Sequence, residues 1–134
     1  MPMMPIDPLE SGLLKRVLGD SATGLPNTLY LEMLREWGRA IAERHGQRVL
    51  LLQISVAGGS ARLRRAFGMT LFGIFRRADL VTSEGGHRYH VLTVVREAEA
   101  ADVLVRRVEK IAAMLNQRSP SEPPLDVRVA VVED

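Results

Sequence analysis

His87 and His90 stand three residues apart, just after the glycine pair Gly85 and Gly86, and closely spaced imidazoles are a usual beginning for a metal site. Side chains alternate faces along a strand, so residues three apart point opposite ways and these two share no ion. A surface hairpin is the expected setting for both. Gly58 and Gly59 followed by Ser60 would place free backbone amides at a helix start, where a phosphate binds well. The run lacks the lysine and the spacing of a P-loop and reads as a turn. No serine, histidine and acid fall in a spacing that signals nucleophilic catalysis. Cysteine is absent, which removes thiolate metal ligands, cysteine nucleophiles and disulfides together. Trp37 on a helical stripe and Met69 in an apolar run both read as packing residues rather than as parts of a ligand cage.

The elements that must position such residues belong to one domain, since 134 residues leave little room for a second core. Hydrophobic residues at 46% and charged residues at 25% exclude a disordered or fibrous chain. Eighteen basic and sixteen acidic residues leave a net charge of +2, and aromatics at 4% provide few stacking platforms, so no nucleic-acid partner is expected. The N-terminal run MPMMPIDPLE has neither the basic start nor the apolar core of a signal peptide. The longest mostly apolar stretch, Ala66 to Phe75, is far short of the ~20 residues of a membrane span. A cytoplasmic protein with no membrane partner is expected.

Leu9, Leu13, Leu14, Val17 and Leu18 have helical spacing, so residues 1–19 read as an N-terminal extension carrying a short leading helix. Asp20 to Asn27 (DSATGLPN) is turn chemistry ending in a residue suited to cap a helix. That helix carries Tyr30, Leu34, Trp37 and Ile41 as its inward stripe and stops at Gly46. Arg48 to Val56 reads as a central strand covered on both faces. Ser60 caps a helix running to about Ala78, with Leu63, Phe67, Leu71 and Ile74 facing inward. Leu80 to Glu84 and His87 to Val95 form a hairpin closed by the two residues Gly85 and Gly86. A helix over about Ala98 to Arg118 and a strand over Leu125 to Val132 complete the chain. This order predicts an α+β protein with a ferredoxin-like βαββαβ core, its helices packed on one face of an antiparallel sheet.

Three of these segments carry a resemblance. DSATGLPN before a helix, RVLLLQIS as a strand, and RRADLVTSEGGHRYHVL as helix end and hairpin are similar to the hallmark segments of the GGDEF, or diguanylate cyclase, domain. In that family they read approximately D-x-L-T-G-L-P-N-R, L-L-L-D-I-D and R-x-x-D-L-V-A-R-Y-G-G-D-E-F. The match runs in consistent order from about Asp20 to the C-terminus. It implies the nucleotidyl cyclase palm architecture for residues 20–134 and a place in bacterial signal transduction.

The departures bear directly on chemistry. The resemblance implies two magnesium ions held by an aspartate on the first strand and an acidic residue after the hairpin glycines, because hard cations take oxygen ligands, usually carboxylates. Gln53 and His87 stand at those positions, Ser55 replaces the second strand aspartate, and Arg88 and Tyr89 replace the family's glutamate and phenylalanine. The GGDEF run is thus Gly85, Gly86, His87, Arg88 and Tyr89, a degenerate motif. The family's guanine-contacting stretch is shortened here to Val56, Ala57, Gly58 and Gly59. No catalytic residue, metal or cofactor is expected, and the chain is not expected to be an enzyme.

One motif of the family survives in register. Arg76 and Asp79 match the R-x-x-D of its inhibitory site, which binds cyclic di-GMP. An arginine fork pairs with phosphate or with guanine O6 and N7, and a carboxylate accepts from guanine N1 and N2 hydrogens. Arg77 would add charge. These residues also have a plainer reading, in which two arginines in a last helical turn favour its dipole and Asp79 is a surface acid. The resemblance therefore implies an inactive GGDEF-like module with cyclic di-GMP as ligand. The alternative is a protein-protein or dimerisation scaffold that takes no nucleotide. For a partner protein or a homodimer, the expected surface is the outer face of the Ser60 to Ala78 helix, where Met69, Phe72 and Phe75 add apolar groups beside the inward stripe.

Overall fold

The computed structural model describes residues 19–75, 80–97 and 99–133. The leading helix expected over Leu9 to Leu18 lies outside the described residues, as do Arg76, Arg77 and Asp79. Three helices and four strands follow one another as α1 (Thr28–Arg44), β1 (Arg48–Gly58), α2 (Ala61–Phe75), β2 (Leu80–Glu84), β3 (Arg88–Val95), α3 (Ala100–Arg118) and β4 (Leu125–Glu133). The strands form a single sheet in the order β2-β3-β1-β4, antiparallel throughout. This is the expected βαββαβ core, and no described helix is long and apolar enough to cross a membrane.

β1 lies between β3 and β4, and its alternation sorts residues between two layers. Leu50, Leu52, Ile54 and Val56 pack with Leu63, Phe67, Leu71 and Phe75 of α2 and Val108, Ile111 and Ala112 of α3. Val49 and Leu51 point the other way and meet Leu31 and Ala42 of α1, with Leu92 of β3. The expectation of helices on one face therefore holds for α2 and α3, while α1 covers the opposite face. Its cover ends at mid-strand, which leaves Gln53 and Ser55 exposed.

Both inward stripes differ in detail from those expected. Asn27 caps α1 as anticipated, its side chain accepting from the Tyr30 amide at 3.2 Å. The buried side of α1, however, runs one residue further round, through Leu31, Gly38 and Ala42. Trp37 is 42% exposed. A Cβ built on Gly38 would lie 3.8 Å from Leu92 Cδ2, so the helix backbone itself approaches the sheet there. Small residues on that line allow a close approach that Trp37 would prevent. On α2 the row is Leu63, Phe67, Leu71 and Phe75, each four residues on, so Phe75 is buried and Ile74 is 44% exposed. Ser60 caps α2 through a 3.0 Å bond from the Leu63 amide.

The hairpin connection has three residues, Gly85, Gly86 and His87, where two were expected. Both glycines have positive φ, +65° and +76°. His87 closes the turn by donating its amide to the Glu84 carbonyl, and its own carbonyl accepts from the Val56 amide at 2.8 Å.

Candidate functional site

The register of the sheet brings together most of the residues that depart from the family pattern. On the face that α1 leaves open, Gln53 pairs with His90 on one side and Ala130 on the other, and Ser55 pairs with Arg88 and Arg128. Gln53, Ile54, Ser55, Arg88, Tyr89 and His90 line a shallow depression of about 160 Å³. Arg88 forms no ion pair among the described residues, and Arg128 has only Asp126 at 3.9 Å. His90 Nδ1 and Thr82 Oγ1 are buried without a hydrogen-bond partner among the described residues, and these two residues face each other across β2 and β3. Burial, the largest cause, holds the His90 imidazole below its ordinary pKa.

His87 does not join this group. It occupies the hairpin tip, exposed and outside the lining of the depression. The lining residues offer an amide, a hydroxyl, an imidazole and a guanidinium, with no carboxylate. No cluster of three or more metal-ligating side chains occurs among the described residues. The pair of magnesium ions that the resemblance implies does not fit this donor set, because a hard divalent cation needs anionic oxygen and Arg88 brings positive charge to the same place.

Asp20 organises the hairpin, a role that its place in a turn did not reveal. Its Oδ1 accepts from the Gly85 amide at 2.9 Å and its Oδ2 from the Thr23 hydroxyl at 2.7 Å, while Thr23 Oγ1 accepts from the Leu25 amide. The Ser83 amide donates to the Pro26 carbonyl at 2.8 Å. The DSATGLPN turn is thereby fastened to the glycine pair across 65 residues of sequence. A second depression, of about 360 Å³, lies beside it between Asp20, Asn27, Thr28 and Glu84. Local pattern cannot find such a partner, since only the fold makes Asp20 and Gly85 neighbours.

Tyr89 belongs to the core rather than to a site. Its ring meets Phe67 edge-on, with centroids 5.4 Å apart and planes at 72°, and its hydroxyl donates to the Arg64 carbonyl at 3.0 Å. Burial, the largest cause, pushes its pKa from 10.0 up to about 12. A raised folded-state pKa means that the stabilisation is complete below the unfolded value and is lost as pH climbs through the folded one. As pH rises from 10.0 to about 12 the wild type is expected to lose roughly 2 kcal/mol of stability that Tyr89→Phe keeps. Urea unfolding of the two proteins at both ends of that interval reads the difference, and equal losses would refute it.

No family model and no curated protein matches the sequence. Solved structures do match. The diguanylate cyclase SiaD of Pseudomonas aeruginosa, solved in complex with its activator SiaC, is 25% identical with a TM-score of 0.70, over 94% of this chain and 53% of that one. The chain thus spans about half the length of that relative. The GGDEF domain of TpbB, or YfiN, from the same organism is 22% identical with a TM-score of 0.59, over 84% of this chain and 74% of that one. With the βαββαβ element order and the antiparallel sheet that the sequence resemblance implies, and with these two structures matching over most of its length, this chain has the fold of a GGDEF-like domain.

Proposed function

We propose that residues 20–134 form a catalytically inactive GGDEF-like signalling module of the bacterial cytosol that binds cyclic di-GMP through Arg76 and Asp79, with Arg77 adding charge. Inactivity is supported above all by the depression between β1 and the hairpin, whose lining of Gln53, Ser55, Arg88 and His90 contains no carboxylate. The ligand reading is supported by sequence: R-x-x-D occupies the four positions between the end of α2 at Phe75 and the start of β2 at Leu80. A guanidinium and a carboxylate at that spacing suit the phosphate and guanine edges of the dinucleotide.

Calorimetric titration with cyclic di-GMP, GTP and GDP tests this reading. Arg76→Ala is expected to weaken cyclic di-GMP binding by about 1.5–3 kcal/mol, the scale for losing a charged hydrogen-bonded partner and roughly tenfold or more in affinity, and by more than Arg77→Ala. Equal losses would point to nonspecific attraction. No heat at millimolar ligand would remove the receptor reading.

A second reading, an interaction scaffold, is favoured by the outer face of α2, where Met69 is 48% exposed, Phe72 36% and Ile74 44%. Phe75, expected on that face, is buried in the core. That SiaD is found with a protein activator adds support for this fold as a docking partner. Light scattering of the wild type and Phe72→Glu separates a homodimer through this face from a monomer that awaits another protein.

A further inference from the structure

On the part of the sheet that α1 leaves open, Ser55 of β1 has Arg88 on one side and Arg128 on the other. Cross-strand partners share a face, so the hydroxyl and the two guanidinium side chains project together. Neighbouring strands lie about 4.8 Å apart, which sets the two arginine Cα atoms roughly 10 Å from each other with Ser55 midway. Two extended arginine side chains span that gap and converge above the serine. The acids nearby stand outside the pair. Glu84 opposes Arg88 from the edge strand β2, and Asp126, two residues back on β4, reaches Arg128 only at 3.9 Å. Arg88 has neither an ion pair nor a side-chain hydrogen bond among the described residues.

The next row of the same face is polar as well and lacks partners. His90 pairs with Gln53, and Thr82 faces His90 from β2. Thr82 is wholly buried, yet its Oγ1 and the Nδ1 of His90 have no hydrogen-bond partner among the described residues. Buried polar atoms without partners are rare in a folded protein and call for an explanation. A slight turn of the imidazole lets the Thr82 hydroxyl donate to Nδ1, and the ring proton then sits on Nε2, a donor for whatever enters the depression that His90 lines. Of the α1 charges that His90 feels, Glu32 and Arg35 pair with each other.

We propose that this face binds a phosphate monoester, with Arg88, Arg128 and the Ser55 hydroxyl on the phosphate, and with His90 and Gln53 on the ester's first polar atoms. Donors that arrive from two sides and from beneath reach oxygens that do not share a plane, as those of a phosphate do not. A carboxylate offers two oxygens in one plane and leaves one guanidinium without an edge to pair with. The depression, about 160 Å³, is smaller than the ~300–1,000 Å³ of a usual ligand pocket, so it takes the phosphate and the atoms next to it and leaves the rest of the ester in solvent. The site is separate from the R-x-x-D segment and does not depend on what that segment binds.

Titration of the intact chain with glycerol 3-phosphate, read by the histidine ring resonances at constant pH and ionic strength, tests the site. Of the three histidines only His90 lines the depression, so its signals are expected to move and to saturate at millimolar ester while those of His45 stay in place. Arg88→Gln and Arg128→Gln are each expected to raise the dissociation constant roughly tenfold, the scale for losing a charged hydrogen bond, with circular dichroism unchanged. Arg65→Gln on α2 should leave it as it was. Inorganic phosphate should compete with the ester, and acetate should not. His90 signals that stay still, an equal response to acetate, or a loss in Arg65→Gln as large as in Arg88→Gln would overturn the proposal. Arg76→Ala is expected to keep the ester bound; its loss there would place the phosphate at the R-x-x-D segment and overturn the proposal as well.

Discussion

Incubated with GTP and magnesium or manganese, the purified chain is expected to accumulate no cyclic di-GMP above a no-protein control, and Gln53→Asp combined with His87→Asp is expected to leave it there. Metal ions in such chemistry orient the triphosphate and neutralise developing charge, a contribution of several kcal/mol, with each 1.36 kcal/mol worth about a factor of ten in rate. The fold explains why restoring the two acids by sequence position fails. His87 closes the hairpin and spends its carbonyl on the Val56 amide, with its side chain outside the depression that Gln53 lines. A carboxylate at position 53 would instead have Arg88 nearby in the same lining, and a guanidinium would pair with it in place of a cation. The stretch Val56 to Gly59, in which β1 runs on to Gly58, offers guanine no asparagine or aspartate. Product detected by chromatography in either protein would overturn the assignment of this module as inactive.

The parts of the fold that could be read from sequence are those where local pattern and tertiary need coincide. The apolar run of β1, the glycine pair at positive φ and the Ser60 and Asn27 caps each state their structure within a few residues. The stripe of α1 is legible in period but not in phase, whereas that of α2 is legible in both except at its last residue. Ranking α1 by bulk puts Trp37 inside, whereas the sheet accepts Leu31, Gly38 and Ala42 because a glycine and an alanine bring the backbone close to Leu92. On α2 both Ile74 and Phe75 fit a helical repeat after Leu71, three and four residues on, and the structure buries Phe75. At the candidate site, the replacements at positions 53, 55 and 88 were visible from the motif, and the sheet register does set Ser55 beside Arg88. What no local pattern contained was the register that sets Arg128 opposite Ser55 from a strand at the far end of the chain, or the role of Asp20, whose partner is a backbone amide. Such pairings depend on chain reversal, and periodicity carries no information about them.

Tyr89→Ala is expected to destabilise the protein by about 3–5 kcal/mol, the usual range for deleting a buried aromatic ring. The residue is 0% exposed and holds both an edge-on contact with Phe67 and a hydrogen bond to the Arg64 carbonyl. Its presence also dictates a glycine on the neighbouring helix. A Cβ added at Gly68 would stand 2.8 Å from Tyr89 Cε1 and 2.8 Å from its hydroxyl oxygen, distances that the ring, pinned at both ends, cannot relieve by rotating. Gly68→Ala alone is therefore expected to cost about 1–3 kcal/mol by overpacking, although alanine is the better helix former by up to ~1 kcal/mol. Combining the two substitutions reverses the sign of the second. Once Tyr89→Ala has emptied the space, the methyl group added at position 68 meets no ring and fills part of the cavity, and the better helix propensity of alanine is expressed, so Gly68→Ala becomes stabilising in that background. Urea unfolding of the four proteins in this cycle measures the coupling, which is expected to exceed 1 kcal/mol on the scale typical of residues in contact, about 0.5–3 kcal/mol. Additive effects would show that Gly68 is not there to admit Tyr89. A Gly68→Ala protein as stable as the wild type would show that α2 shifts on the sheet to accommodate the methyl group, and the tight seat assigned to this tyrosine would then be wrong.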